Sequence, residues 1–177
     1  MPPIAALLSQ LRVDKSALAP PFPVIEHPPS QPIYFRPAPP LFLPERRRGL
    51  LLRFQSQRPV AAGVWLELII PVAGESCTVT GEVVDHQSTD EGYRIAVCIT
   101  QRNSSFKLRM VEQLCHIAHY RASRIRQGGC ELSEEQAAEE WILRHAASFP
   151  SLDWGSEEKA DAGPTGPGAV PGSKPLQ

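Results

Sequence analysis

The sequence predicts a mainly β fold, a small antiparallel barrel or sandwich, followed by two helices and flanked by proline-rich termini. Three observations carry this. Between residues 49 and 100, short runs of apolar residues alternate in period two and are broken by turn residues every eight to twelve positions. From about residue 105 the period changes to that of a helix. The 19 prolines are clustered, with twelve in residues 1–44 and four after residue 160. That is about twice the usual proline share, and it separates a foldable body from its ends.

Taken in order, Ile4, Leu7, Leu8 and Leu11 occupy one face of a short amphipathic helix. Residues 19–44 read as an extended linker, because runs such as Ala19-Pro20-Pro21-Phe22-Pro23 and His27-Pro28-Pro29 cannot enter a helix or a central strand. Ile33-Tyr34-Phe35-Arg36 is a short edge strand within it. Gly49 to Phe54 is the first strand of the body. In Val64 to Ile70, Val64, Leu66, Leu68 and Ile70 share a face. Ala73-Gly74-Glu75 is a tight connection. Ser76 to Val84 puts Cys77, Val79, Gly81 and Val83 on one face, Gln87 to Gly92 is a polar loop, and Tyr93, Ile95, Val97 and Ile99 alternate inward on the last strand. Ser104 or Ser105 caps a helix over about 105–126, on which Met110, Val111, Leu114, Ile117, Ala118 and Ile125 share one apolar stripe, a face available for recognition. Gln127-Gly128-Gly129 ends it. Ser133 with Gln136 is a capping-box pattern opening a second helix that stops before Pro150. Residues 155–177, rich in Gly, Pro, Ser and charge, read as disordered. The resulting division is a leader over 1–32, a β domain over 33–103, a helical extension over 104–150 and a tail over 151–177.

Composition narrows the function. The net charge of −1 excludes a bulk polybasic nucleic-acid binder, although residues 30–130 carry +5 and residues 131–177 carry −6. That distribution suits an anionic small ligand or an acidic partner surface. Four cysteines at 77, 98, 115 and 130, without a C-x-x-C pair, and an N-terminus without a signal-peptide pattern point to a cytoplasmic protein with reduced thiols. No window approaches eighteen consecutive apolar residues, so no membrane insertion is expected. Asp85, His86 and Ser88 are triad residue types, but no nucleophile elbow or oxyanion loop accompanies them, and no enzyme is expected. Glu112, His116 and His119 fall together opposite the apolar stripe, with Cys115 toward the apolar side and Cys130 further on. The spacing is not that of a helical zinc motif, so these residues read as a solvated polar face and no metal is expected. Arg121 projects onto the apolar stripe, where Glu139 or Glu140 of the next helix are candidate partners.

The stretch from Glu45 to Thr100 resembles a PilZ domain. The resemblance lies in the order of a basic turn into Gly49-Leu50-Leu51-Leu52, then Pro59 to Leu68, Val79-Thr80-Gly81-Glu82-Val83-Val84 and Gly92-Tyr93-Arg94-Ile95-Ala96-Val97, with Arg109 to Leu114 as the helix after the barrel. It implies a six-stranded antiparallel β-barrel followed by two helices, and a bacterial regulatory module in cyclic di-GMP signalling. The family's ligand signature pairs R-x-x-x-R with [DN]-x-S-x-x-G. Here only Gly49 matches, with Pro44 and Arg46 at the acidic and serine positions and no R-x-x-x-R upstream. The resemblance thus implies cyclic di-GMP binding that is weak or absent, with action through a protein partner. The alternative is a signature-less adaptor without a nucleotide ligand, as in type IV pilus function or motility. If the nucleotide binds, its contacts are Arg46, Arg47, Arg48 and Gly49, with Arg36 closing from the linker. Guanidinium groups suit phosphates and guanine edges through bidentate, charge-assisted bonds. No cofactor and no nucleic-acid polymer is implied.

Overall fold

In the computed structural model, residues 22–41, 48–128 and 131–152 are described. The expected helix over Ile4–Leu11, the tail beyond residue 152, and Arg46, Arg47 and Cys130 lie outside them. Six strands form one sheet: β1 (Val24–Glu26), β2 (Tyr34–Pro37), β3 (Leu50–Ser56), β4 (Trp65–Val72), β5 (Glu75–Thr89) and β6 (Gly92–Ile99). Their order across the sheet is β1-β3-β6-β5-β4-β2. Helix α1 (Arg102–Arg126) and helix α2 (Glu134–His145) follow, with a short 3-10 turn at Ala146–Ser148.

The strand count and the two helices agree with expectation; the closed antiparallel barrel does not. The sheet is open, with β1 and β2 at its two edges, and it is mixed, because β1 runs parallel to β3 with Ile25 opposite Leu52. The reason is the path of the proline-rich leader. It supplies β1 to one edge and then crosses to supply β2 to the other, pairing Phe35 with Leu68 of β4. A parallel neighbour is reached only through such a crossover. The sheet nevertheless curls, since the rings of Phe35 and Phe54, on strands separated by three others, lie 5.7 Å apart. Residues 24–26, expected to be linker, are therefore a strand of the sheet, and Ile25 is fully buried in the core.

Alternation in the strands sets what is inside. Leu50, Leu52 and Phe54 of β3, Leu66, Leu68 and Ile70 of β4, and Cys77, Val79 and Val83 of β5 all point into one cluster. In β6, Ile95 to Ile99 are buried without a break, as befits a strand between two long neighbours. Strand β5 runs on through Gln87 and Ser88, which the sequence reading left in a loop. These polar residues stay paired with Arg94 and Tyr93, after a register shift between Val83 and Asp85. A polar side chain on a half-exposed ladder costs little when the hairpin partner holds the backbone. Gly81 has a packing role: a Cβ there would lie 2.5 Å from Cγ1 of Val97 and 2.7 Å from the carbonyl oxygen of Cys98.

Helix α1 begins earlier than expected. Gln101 occupies the cap position, and Ser105, rather than capping, is buried and donates to the Ile99 carbonyl at 3.0 Å, tying the helix start to the end of β6. Helix α2 begins as its pattern predicts: the Ser133 hydroxyl accepts from the Gln136 amide while the Gln136 side chain accepts from the Ser133 amide.

Candidate functional site

The site is set by the orientation of α1. The face buried against the sheet is Ser105, Leu108, Glu112 and Cys115. Of the apolar stripe, Met110, Leu114 and Ile125 are 65%, 49% and 42% exposed, Ala118 is exposed, Ile117 is half-buried, and Val111 packs against the core cluster. An amphipathic helix would ordinarily bury the more apolar side. Here the leader supplies the polar side with partners. The Glu112 carboxylate meets Nδ1 of His27 at 2.9 Å, Nε2 of His116 donates to the Glu26 carbonyl at 2.9 Å, and Nδ1 of His119 is hydrogen-bonded to the Ser30 hydroxyl at 2.6 Å. Glu112, His116 and His119 follow one helical face at i, i+4 and i+7, and three consecutive contacts from residues 26–30 cover it. Of the three residues expected on a solvated face, Glu112 is therefore buried, and His116 and His119 are half-buried, in a seam between the leader and α1. A periodicity argument within α1 could not find this, because the matching groups lie some eighty residues upstream.

The seam perturbs its titratable groups. Burial, reinforced by the Glu112 carboxylate and then by Cys77, pushes the Cys115 thiol up to about 12. Burial also raises the Cys77 thiol. It lowers His116 from its ordinary value, opposed by the Glu112 charge and by the bond to Glu26. Cys77, Cys98 and Cys115 are all buried.

The outward stripe borders a groove of about 550 Å³ between α1, the start of α2 and the β4–β5 turn. Leu114, Ile117 and Ile125 form its floor, and Glu134 and Glu135 stand on its rim. Arg121 belongs to this rim. It donates to the Leu132 carbonyl at 2.7 Å and pairs with Glu134 at 3.5 Å, so its acidic partner is at the start of α2 rather than Glu139 or Glu140. On the other side of α1, Trp141 is buried against His116 and Phe149 and anchors α2. A second cleft of about 400 Å³ opens there, lined by imidazoles and aromatic rings.

Of the residues expected to hold a nucleotide, Arg48 is exposed immediately before β3. Gly49 is buried, and a Cβ on it would come within 2.9 Å of the Ile99 carbonyl oxygen, which gives the glycine a packing reason. Arg36, on β2, is ion-paired with Glu67 of β4, which raises its pKa through that hydrogen bond and charge. Strands β2 and β3 are separated by β4, β5 and β6 in the sheet order. Asp85, His86 and Ser88 lie along β5, paired with β6 rather than grouped in a cleft.

No helix among the described residues is long and apolar enough to cross a membrane. Compared with protein-family models, curated proteins and solved structures, the chain shows no match.

Proposed function

We propose that this chain is a non-enzymatic regulatory module of PilZ-like character that acts as an adaptor, receiving an amphipathic helix with basic flanking residues from a protein partner. The observation that carries the reading is the outward apolar stripe of α1 beside its groove. Exposed apolar surface of that kind on a helix fits helix-in-groove recognition. With Glu134 paired to Arg121, Glu135 leaves the rim one net negative charge that favours a basic occupant. The rigid curled sheet is the platform on which α1 is held.

The test uses a fluorescent peptide of residues 1–15, an amphipathic sequence with Ile4, Leu7, Leu8 and Leu11 on one face and Arg12 and Lys15 beyond it. The full chain carrying Leu7→Glu and Leu8→Glu, whose own leader is disabled, is expected to bind it saturably in fluorescence anisotropy. Adding Leu114→Glu should weaken binding by at least about tenfold, the worth of one buried apolar anchor. No binding, or binding indifferent to Leu114→Glu, overturns the reading. Binding by the disabled-leader chain but not by the wild type would identify the chain's own leader as the resident occupant.

A second reading, cyclic di-GMP as ligand, is supported by the basic run Arg46-Arg47-Arg48 next to Gly49, with Arg48 exposed. Calorimetry with cyclic di-GMP should give heat that disappears in the Arg46/Arg47/Arg48→Ala variant. An absence of heat in the wild type leaves the adaptor reading alone.

A further inference from the structure

We propose that His27, Glu112 and Cys115 form a structural binding site for a zinc-type divalent cation, clamping the leader to helix α1. The three donor atoms lie within 4.8 Å of one another, and all three residues are buried, His27 at 8% exposure and the other two at 0%. Imidazole, carboxylate and thiolate are the donor types that zinc takes, and a site closed to solvent is the structural rather than the catalytic kind. In a tetrahedral zinc site neighbouring donors stand about 3.3–3.8 Å apart, given the usual metal–ligand lengths. The set therefore needs only small side-chain adjustments.

Two details of geometry favour a cation over a simple polar contact. Nε2 of His27 lies 3.1 Å from the Gln31 carbonyl, an acceptor only, so Nε2 carries a hydrogen. This is the backbone bond that commonly fixes a metal-ligating histidine, and it leaves Nδ1 facing the carboxylate. Nδ1 and Oε1 of Glu112 then oppose each other at 2.9 Å, and something positive must lie between them. A proton would satisfy those two atoms. It would leave Oε2 of Glu112, fully buried and without a hydrogen-bond partner, unaccounted for. A metal ion answers Nδ1, the carboxylate and the sulfur together. The ligands join residue 27 to residues 112 and 115, so the ion would hold the same seam that turns α1 outward.

The test is a titration of the reduced, chelator-stripped full chain with cobalt(II), followed optically. One equivalent should develop the near-ultraviolet charge-transfer band of a cobalt thiolate, and zinc should discharge it. The band should be lost in Cys115→Ser and kept in Cys130→Ser, and His27→Gln should weaken binding by more than about tenfold, the least effect expected for a ligand when supporting residues cost that much. No band in the wild type, a band that survives Cys115→Ser, or one that depends on Cys130 overturns the site. Should Cys115→Ser fail to fold, X-ray absorption of the zinc-loaded wild type decides. A mixed shell of sulfur with nitrogen and oxygen supports the site, and a shell without sulfur overturns it.

Discussion

At the scale of single residues, the pairing of His27 with Glu112 dominates. A fully buried carboxylate is tolerated only with a partner, so the two side chains are unequal targets for mutation. His27→Ala strands Glu112 and is expected to cost about 3 kcal/mol in urea unfolding of the chelator-treated chain. Glu112→Gln keeps a hydrogen-bonding group opposite Nδ1 and should cost about 1 kcal/mol. Equal losses would show that packing, not polarity, sets the energy of the seam. Cys115 makes a kinetic prediction. Its thiol, buried and pushed up to about 12, is almost wholly protonated at pH 8. Iodoacetamide should leave it unmodified in the folded chain and label it once urea is added. Labelling at equal rates in both conditions would contradict the burial.

At the scale of elements, the β4–β5 connection is informative. Ala73 and Gly74 link the paired residues Val72 and Glu75, with φ of 49° and 84°. Positive φ at both central positions is the two-residue turn that suits a twisted hairpin, and it favours Asn-Gly over Ala-Gly. Ala73→Asn should therefore raise stability by about 0.5–1 kcal/mol, read from the denaturation midpoint. A loss would mean that Ala73 is held by packing at the groove. This turn, the capping box at Ser133 and the alternation of β4 and of Cys77 to Val83 in β5 were all legible in the sequence, because each is a local rule. The orientation of α1 was not. Its hydrophobic pattern points one way, and the contacts of His27, Glu26 and Ser30, remote in sequence, turn it the other. The site residues divide in the same manner. Arg48 and Gly49 stand at the strand entry that the basic turn implied, whereas the pairing of Arg36 with Glu67 required knowledge of which strand lies beside β2.

At the scale of the whole molecule, the leader is structural. Ile25 sits in the central cluster beside residues of β3 and β6, and Leu51 donates its amide to the Pro23 carbonyl at 3.0 Å. Ile25→Ala is expected to lower stability by about 2–4 kcal/mol, the range for emptying a core position. A change below about 0.5 kcal/mol would return the segment to the status of a linker. The proline content concealed this, since a three-residue strand between prolines leaves almost no periodic signal.

The open sheet gives those prolines a protective use. A closed cylinder has no unpaired rim, but this one has two, and each exposes backbone donors and acceptors to any passing chain. Both rims are short: three residues between Pro23 and Pro28, and four running from just after Pro32 to Pro37 itself. A foreign strand trying to extend the ladder would soon meet a ring nitrogen with no hydrogen to offer, so the segment that denies the molecule a closed barrel also keeps its margins from templating fibrils.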